Sequence, residues 1–538
     1  MISKQTLSKI RVIVGPPGTG KTHIKIKEEY SKLYEKYGPE RGILLTHSNV
    51  AKRELVDTIT SIEKVKDSVY LKEDEDYFKY RICTMHAYAK HNAGDRREVF
   101  DKKSDYEGLC KVATLLRQKN TAAVARDPVK YHPFFKCNAE AHGRGKTIYE
   151  HWQTAQDPSR SYDPYTLAMV LKIKEQYEKF KKDNHIQDYP DMLDSYIRKP
   201  KVPQVDFLIV DEAQDCSAPQ MDAIDRMAEH AKEVILVGDP NQTIFQFAGA
   251  DPDFFEKIFA KVKDEDELKQ GLRCSKAINV FAKKIIKPIW EYYGYERAWL
   301  PTDEEGSVQI IPDLFLSKGL ENLKEKIKNT DQSFLFTYRT EKSKQWLMPF
   351  FKREGYKFGQ VGSIYNHVSD AEFQAHVTWP DFLEGKPQPL EQIQSYWEYL
   401  DKSHKLKDAR IFKKLIKKDY TYKDFVKMGY LKDELENKRA FYQLIKVPKT
   451  EEKQEQLKER LQYITRVIAK GNINQKSKIE YGNFHQVKGL TRENVIVDRT
   501  ITRYEPSFEQ RRLAYTAVTR GRHEAWILRT QNGRELII

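Results

Sequence analysis

Cysteine is scarce in this chain: five among 538 residues, at Cys83, Cys110, Cys137, Cys216 and Cys274, with no CxxC pair. So small and scattered a set excludes a disulfide framework and a structural zinc site, and it fits a reducing compartment. Long apolar runs are missing too. No stretch approaches the ~18 apolar residues that would cross a bilayer. The opening MISKQTLSKI lacks the apolar centre of a secretory leader. The expectation is a cytoplasmic, intracellular protein with no membrane partner. There is also no long Gly/Ser-rich or Pro-rich linker and no evident internal repeat.

Charge is what the chain has in abundance. Charged residues make up 32%, hydrophobic residues 39%, and the net charge is +14. The apolar share suffices for sizeable cores in about three or four domains. A basic balance of this size fits a polyanionic partner such as nucleic acid about as well as it fits a simply lysine-rich surface.

Short apolar runs alternate with amphipathic stretches over the first 90 residues, at Ile10–Val14, Ile43–Thr46 and Arg81–Thr84. The rhythm resumes at Phe207–Asp211, Val234–Gly238, Phe334–Thr337, Asn494–Val497 and Ala525–Leu528. It predicts βαβ units on parallel sheets. Two stretches interrupt it: 91–186, polar and mostly helical in pattern, and 346–480, strongly charged and helical after Trp397. The expected class is α/β, with two parallel-sheet domains, each carrying an inserted mainly helical domain. The first would comprise 1–90 and 187–275 around the insertion 91–186. The second would comprise 276–345 and 481–538 around the insertion 346–480.

The run Val12-Ile13-Val14 leads into Gly15-Pro16-Pro17-Gly18-Thr19-Gly20-Lys21-Thr22, a GxxxxGKT loop between a strand and a helix. Glycines there let backbone N–H groups wrap phosphates, and the helix N-terminus adds its positive dipole end. Lys21 is expected on the β- and γ-phosphates, and the Thr22 hydroxyl on Mg²⁺. About 190 residues on, Phe207–Val210 ends in Asp211-Glu212. A carboxylate pair after a parallel strand lies at the sheet edge where ligands bind. Asp211 suits Mg²⁺, and Glu212 suits orienting and deprotonating a water.

The longer segments Asp211-Glu212-Ala213-Gln214-Asp215 and Gly238-Asp239-Pro240-Asn241-Gln242-Thr243-Ile244-Phe245, continuing to Phe247-Ala248-Gly249-Ala250, resemble the superfamily-one helicases of the UvrD/Rep/PcrA type. Further segments agree in order: Thr46–Ala51, Thr84-Met85-His86, Asp188–Leu193, Arg273, Tyr338-Arg339-Thr340, Phe484–Leu490 and Arg512–Arg520. The resemblance covers nearly the whole chain. It implies two RecA-like motor domains, ATP and Mg²⁺ as cofactors, and DNA as track.

The resemblance also implies roles, residue by residue. Lys21, Asp211, Glu212, Gln242, Arg273 and Arg520 would be catalytic, the two arginines reaching the γ-phosphate across a cleft from a domain other than that of Lys21. Gly15–Thr22, Gln214 and Gly489 would hold nucleotide, with Gln214 also linking the motor domains. Thr22 and Asp211 would hold the metal. Thr46, Asn49, His86, Phe245, Phe247 and His485 would contact DNA, the phenylalanines by stacking on bases. For His86, His485 and the phenylalanines the alternative is a structural role.

The chain departs from the family's pattern at Leu272, where a tyrosine stacks on adenine, and at Ala248, Asn483 and Thr491. Gln5 is the one upstream glutamine, too near the loop for the family's adenine-reading position. Between Lys402 and Lys418, eight Lys and Arg residues interleave with Leu406, Ala409, Phe412, Leu415 and Ile416 at helical spacing. That suits either a duplex-binding face or a solvated helix. No nuclease signature is present, and with Ile538 soon after the last motif no C-terminal nuclease domain is expected.

The resulting expectation is an ATP-dependent helicase moving 3′→5′ on single-stranded DNA and acting at single/double-strand junctions. The alternatives are a translocase that remodels protein–DNA complexes without unwinding, a nucleic-acid-triggered NTP switch, and an RNA track. Protein partners and pathway (repair, recombination or replication) stay open.

Overall fold

This computed structural model describes residues 2–38, 41–66, 80–100, 103–113, 115–116, 132–155, 158, 162–259, 261–262, 264–311, 318–339, 341–361, 368, 370–433, 435, 438, 440–445, 447–471, 479–498 and 507–528. The chain divides into two compact units. One holds residues up to Gly306 together with the helix Phe508–Val518 and Thr519. The other runs from Ser307 and includes the last strand, from Arg520.

In the first unit β1 (Ile10–Val14) passes through the glycine loop into a π-helical turn, Lys21–Ile26, and α1 (Lys27–Tyr37). β2 (Gly42–Thr46) feeds α2 (Asn49–Thr60), and β3 (Ile82–Thr84) feeds α3 (Met85–Ala93). A helical excursion follows. It carries α4 (Pro133–Gly143) and α5 (Leu167–Asp183) between the short parallel pair β4 (Glu98–Val99) and β5 (Ile186–Gln187). The chain returns through α6 (Tyr189–Ile197) to β6 (Phe207–Val210), α7 (Ala218–Ala228), β7 (Glu233–Gly238), β8 (Asp264–Glu267) and α8 (Lys276–Tyr293).

Six strands pair in the order β3-β2-β6-β7-β1-β8, all parallel. Side chains alternate across the sheet, so Ile10, Val12, Val14, Leu208 and Val210 enter one core, and Ile13, Phe207 and Ile209 enter the other. Helices cover both faces, which is why the strands read as almost unbroken apolar runs. The excursion has its own aromatic core of Phe100, Phe134, Phe135, Tyr162, Tyr165 and Tyr177.

The second unit repeats the scheme with β9 (Ser307–Ile311), β10 (Phe334–Tyr338), α9 (Glu341–Glu354) and β11 (Phe358–Gln360). An excursion with the antiparallel pair β12 (Gln388–Pro389) and β13 (Asp419–Tyr420) comes next. The unit finishes with α10 (Glu451–Ala469), β14 (Ile479–Asn483), β15 (Arg492–Asp498) and β16 (Gly521–Leu528). Its sheet is again six-stranded and parallel, ordered β11-β14-β10-β15-β16-β9.

Three sequence expectations shift. The second unit begins at Ser307 rather than at 276, so α8 groups with the first sheet. The second insertion is narrower than 346–480: β11 pairs with β14, and Tyr463, Ile464 and Val467 of α10 join the sheet's core. What remains around 370–445 packs on itself through Trp379, Phe382, Tyr396, Trp397, Tyr422 and Phe425. The basic stretch 402–418 is not one amphipathic α-helix. It forms short 3₁₀ turns at Lys402–His404 and Ala409–Lys413. The Asp401 and Asp408 carboxylates accept from the amides of Ser403 and Arg410, and such local caps compete with helix propagation.

All five cysteines are free. Among the described residues no helix is long and apolar enough to cross a membrane. The end of the expected second domain, 529–538, and Thr340 lie outside the described residues.

Candidate nucleotide site and nucleic-acid interface

Every first-unit candidate follows the C-terminal end of a strand in one sheet. The glycine loop follows β1, Thr46 closes β2, and His86 comes just after β3. Asp211 and Glu212 follow β6, Gln242 follows β7, and Arg273 follows β8. Parallel strands present all these turns on a single edge.

Gly18 and Gly20 adopt φ of +75° and +82°. A side chain is disfavoured there, and a Cβ at Gly18 would sit 2.3 Å from Arg273 Cβ. The Lys21 ammonium is buried and donates to the carbonyls of Gly15 (2.6 Å) and Pro16 (3.2 Å), bracing the loop's entry. The Thr22 hydroxyl donates to Asp211 at 3.1 Å. Hydroxyl and carboxylate thus converge on one point, an all-oxygen donor set that suits magnesium, an ion that fills its remaining positions with phosphate oxygens and water.

Burial dominates the electrostatics. It pushes Asp211 up to about 7, with the Glu212 charge adding to the rise. Burial also raises Asp239 and lowers Lys21, although the neighbouring carboxylates of Asp239, Glu212 and Asp211 pull Lys21 the other way. A cation with phosphates would relieve this cluster, because buried charges need partners.

Glu212 holds an unusual backbone, φ +54°. Its carboxylate accepts from the Gln214 side-chain amide, while Gln214 Oε1 accepts from the Asp239 amide at 3.1 Å. Gln214 therefore ties the end of β6 to the end of β7. Its bonds run to Glu212, Asp215 and Asp239, all in the first unit, where the sequence had suggested a link between motor domains. Gln242 donates to Asp239 at 2.8 Å. Asp239, fully buried, was not singled out in the sequence. Its place before the Pro-Asn-Gln turn, whose Asn241 amide it also caps, was the available signal.

Arg273 is also relocated. The Leu272 amide donates to the Gly18 carbonyl at 2.7 Å, and Arg273 itself donates to the Thr519 carbonyl at 3.4 Å, both inside the first unit. The strand β8 returns beside β1 and delivers Arg273 to the glycine loop of its own sheet. It does not come from a different domain. Leu272, 53% exposed, stands beside the same loop. Gln5, by contrast, precedes β1, at the end of the strand opposite the loop.

The edge continues into an aromatic surface. The Phe245 ring lies 4.7 Å from His47 and 5.9 Å from Phe247, whose side chain is 47% exposed. The Ile244 amide donates to Asp215, so this loop hangs from the acidic segment. Thr46 is buried, its hydroxyl without a hydrogen-bond partner among the described residues. Asn49 opens α2, exposed, one residue after the Ser48 cap. His86 packs edge-on against Tyr189 at 5.4 Å, and burial lowers its pKa to about 4, so its ring is neutral near pH 7. His47 and Tyr189 are aromatic neighbours the sequence did not flag.

In the second unit His485 follows β14, its amide bonded to Asn483. Arg520 is buried immediately before β16, and its carbonyl accepts from the Arg492 amide at the start of β15.

The comparisons agree with this arrangement. A family model described as the UvrD/REP helicase N-terminal domain matches residues 2–263, and one described as the UvrD-like helicase C-terminal domain matches 481–528. The chain belongs to the UvrD-like helicase family. Among curated relatives, a probable DNA helicase II homolog of Mycoplasma pneumoniae is 24% identical over 298 residues, covering 52% of this chain and 40% of the relative. The ATP-dependent DNA helicase PcrA of Staphylococcus aureus is 22% identical over 294 residues, covering 51% and 38%. The ATP-dependent DNA helicase Rep of Buchnera aphidicola is 24% identical over 361 residues, covering 60% and 51%. The matched part thus spans about half or less of these relatives' own length.

Proposed function

We propose that this chain hydrolyses ATP and uses the cycle to step along single-stranded DNA, 3′→5′, separating duplex at single/double-strand junctions. The observation that carries the reading is the shared edge. The buried Gln242 and the exposed Phe247 lie five residues apart on two successive turns after β7, so a change at the phosphates has a short covalent route to the strand surface.

Lys21 and the loop amides hold the β- and γ-phosphates, which compete for the ammonium now shared by two carbonyls. Thr22 and Asp211 would hold magnesium, which would supply positive charge beside the phosphates. Glu212, fixed by Gln214, orients and deprotonates the attacking water. Arg273 contributes a guanidinium from beside Gly18, and Arg520 and Gly489 are assigned to the same nucleotide on family resemblance. Thr46, Asn49, His86 and His485 are assigned to the strand backbone, and Phe245 and Phe247 to bases. Stacking gives roughly 1–3 kcal/mol per base and accepts any sequence, as a motor requires.

The test is hydrolysis measured with and without single-stranded DNA. Several-fold stimulation is expected, and a rate indifferent to DNA would contradict the coupling. RNA in parallel reactions decides the choice of sugar.

A further inference from the structure

The aromatic turn meets the first insertion through bare backbone. Gly143 ends α4, and a Cβ on it would fall 2.3 Å from the Ala248 carbonyl oxygen and 2.9 Å from Gly249 Cα. In return, a Cβ on Gly249, at φ +96°, would fall 2.2–2.4 Å from Gly143 backbone atoms. Real Cβ contacts essentially never fall below 3.0 Å, and the atoms met here are backbone, so a methyl at either site forces the two segments apart.

The two sides of this contact differ in stiffness. The end of α4 is fixed: Arg144 bonds the buried His151 ring at 3.0 Å, Tyr162 donates to Glu140 at 2.7 Å, and the Lys146 amide closes on the Ala141 carbonyl at 3.0 Å. The aromatic turn, Gln246–Ala248, has no buried residue; the Ala248 and Ala250 amides close on the Phe245 carbonyl, and the segment is anchored at its two ends, by the Ile244 amide on Asp215 and by a bridge from Ala250 to Ser217. A cavity of about 550 Å³ opens beside the contact, walled by Arg144 and Lys146 on the insertion and by Gln246 and Phe247 on the turn. Its width depends on their spacing.

We propose that Gly143 is a positioning residue: its side-chain-free contact with Ala248 and Gly249 sets where the Phe247 ring stands on the strand path and makes the first insertion and the aromatic turn move together. The inference rests on the reading of Phe247 as a base-stacking residue. Added bulk at position 143 pushes the softer turn rather than the braced helix, and Phe247 moves with it.

The test uses the full chain, a fluorescent single-stranded oligonucleotide and the variants Gly143→Ala, Phe247→Ala and the double variant. Gly143→Ala is expected to weaken binding roughly fivefold or more, with DNA-free hydrolysis at the wild-type rate. The double variant should bind no worse than Phe247→Ala alone, because the effect of position 143 passes through that ring. Wild-type binding by Gly143→Ala, additive losses in the double variant, or an equal fall in DNA-free hydrolysis would each overturn the proposal. Should Phe247→Ala itself bind normally, the underlying stacking reading falls instead. Hydrogen exchange on the unmutated protein gives a check free of folding effects. DNA should protect residues 245–250 and 140–146 together, and protection confined to 245–250 would contradict joint movement.

Discussion

The Leu272 amide donates a 2.7 Å hydrogen bond to the Gly18 carbonyl, and this bond brings Arg273 onto the phosphate loop's own sheet. The arginine thus stands beside Gly18 within the first unit, and the proposed function assigns it to the nucleotide. Replacing Arg273 by alanine should lower kcat for hydrolysis about a thousandfold or more, the scale of arginine contacts to a transferring phosphoryl group. Arg273→Lys should not restore it, because an ammonium lacks the guanidinium fork. Steady-state ATPase assays measure both, and near-normal kcat in Arg273→Ala would remove the residue from the reaction.

Lys21→Ala should lower hydrolysis at least about a hundredfold, with or without DNA, since it deletes a phosphate-directed cation from a buried site. Binding of single-stranded DNA should persist. DNA-stimulated hydrolysis surviving in Lys21→Ala would show that the glycine loop is not the phosphate site.

Phe247 is exposed where a core residue would be buried. Phe247→Ala should weaken single-strand affinity by about 1–3 kcal/mol and slow stepping, while DNA-free hydrolysis continues. Stopped-flow translocation on end-labelled oligonucleotides reports the stepping rate, and an unchanged rate would take this ring off the strand path.

His376 lies in the second insertion against Phe441, its Nε2 buried without a hydrogen-bond partner among the described residues, and burial lowers its pKa to about 4. The unfolded chain, with a histidine pKa of about 6.5, binds the proton more tightly. Its contribution to stability is therefore fully present above about pH 6.5 and is lost as pH falls toward 4. Thermal unfolding from pH 4.5 to 8 should show a shallower acid-side loss for His376→Gln than for the wild type. Parallel profiles would contradict the assignment.

The strands buried on both faces were legible in the sequence because alternation vanishes there and an apolar run remains, as in Val12–Val14 and Phe207–Val210. The glycine loop and the acid pair were legible because their chemistry demands fixed residue types. β8 was not: Asp264–Glu267 is an edge strand made wholly of carboxylates, and only its pairing with β1 makes it a strand. That omission hid Arg273's true neighbourhood. The basic stretch 402–418 misled for the opposite reason, since its helical spacing is overridden by the aspartate caps. The Gly143–Gly249 approach left no local signal, because two glycines 106 positions apart reveal their contact only in the fold.

The central claim is that hydrolysis at the first sheet's edge drives directional movement on a single strand. Strand separation on two labelled duplexes, one with a 3′ single-stranded tail and one with a 5′ tail, with ATPase followed in the same tubes, tests it most directly. The account predicts DNA-stimulated hydrolysis and unwinding from the 3′ tail alone. Unwinding from the 5′ tail alone, or stimulated hydrolysis with neither duplex opened, would contradict it.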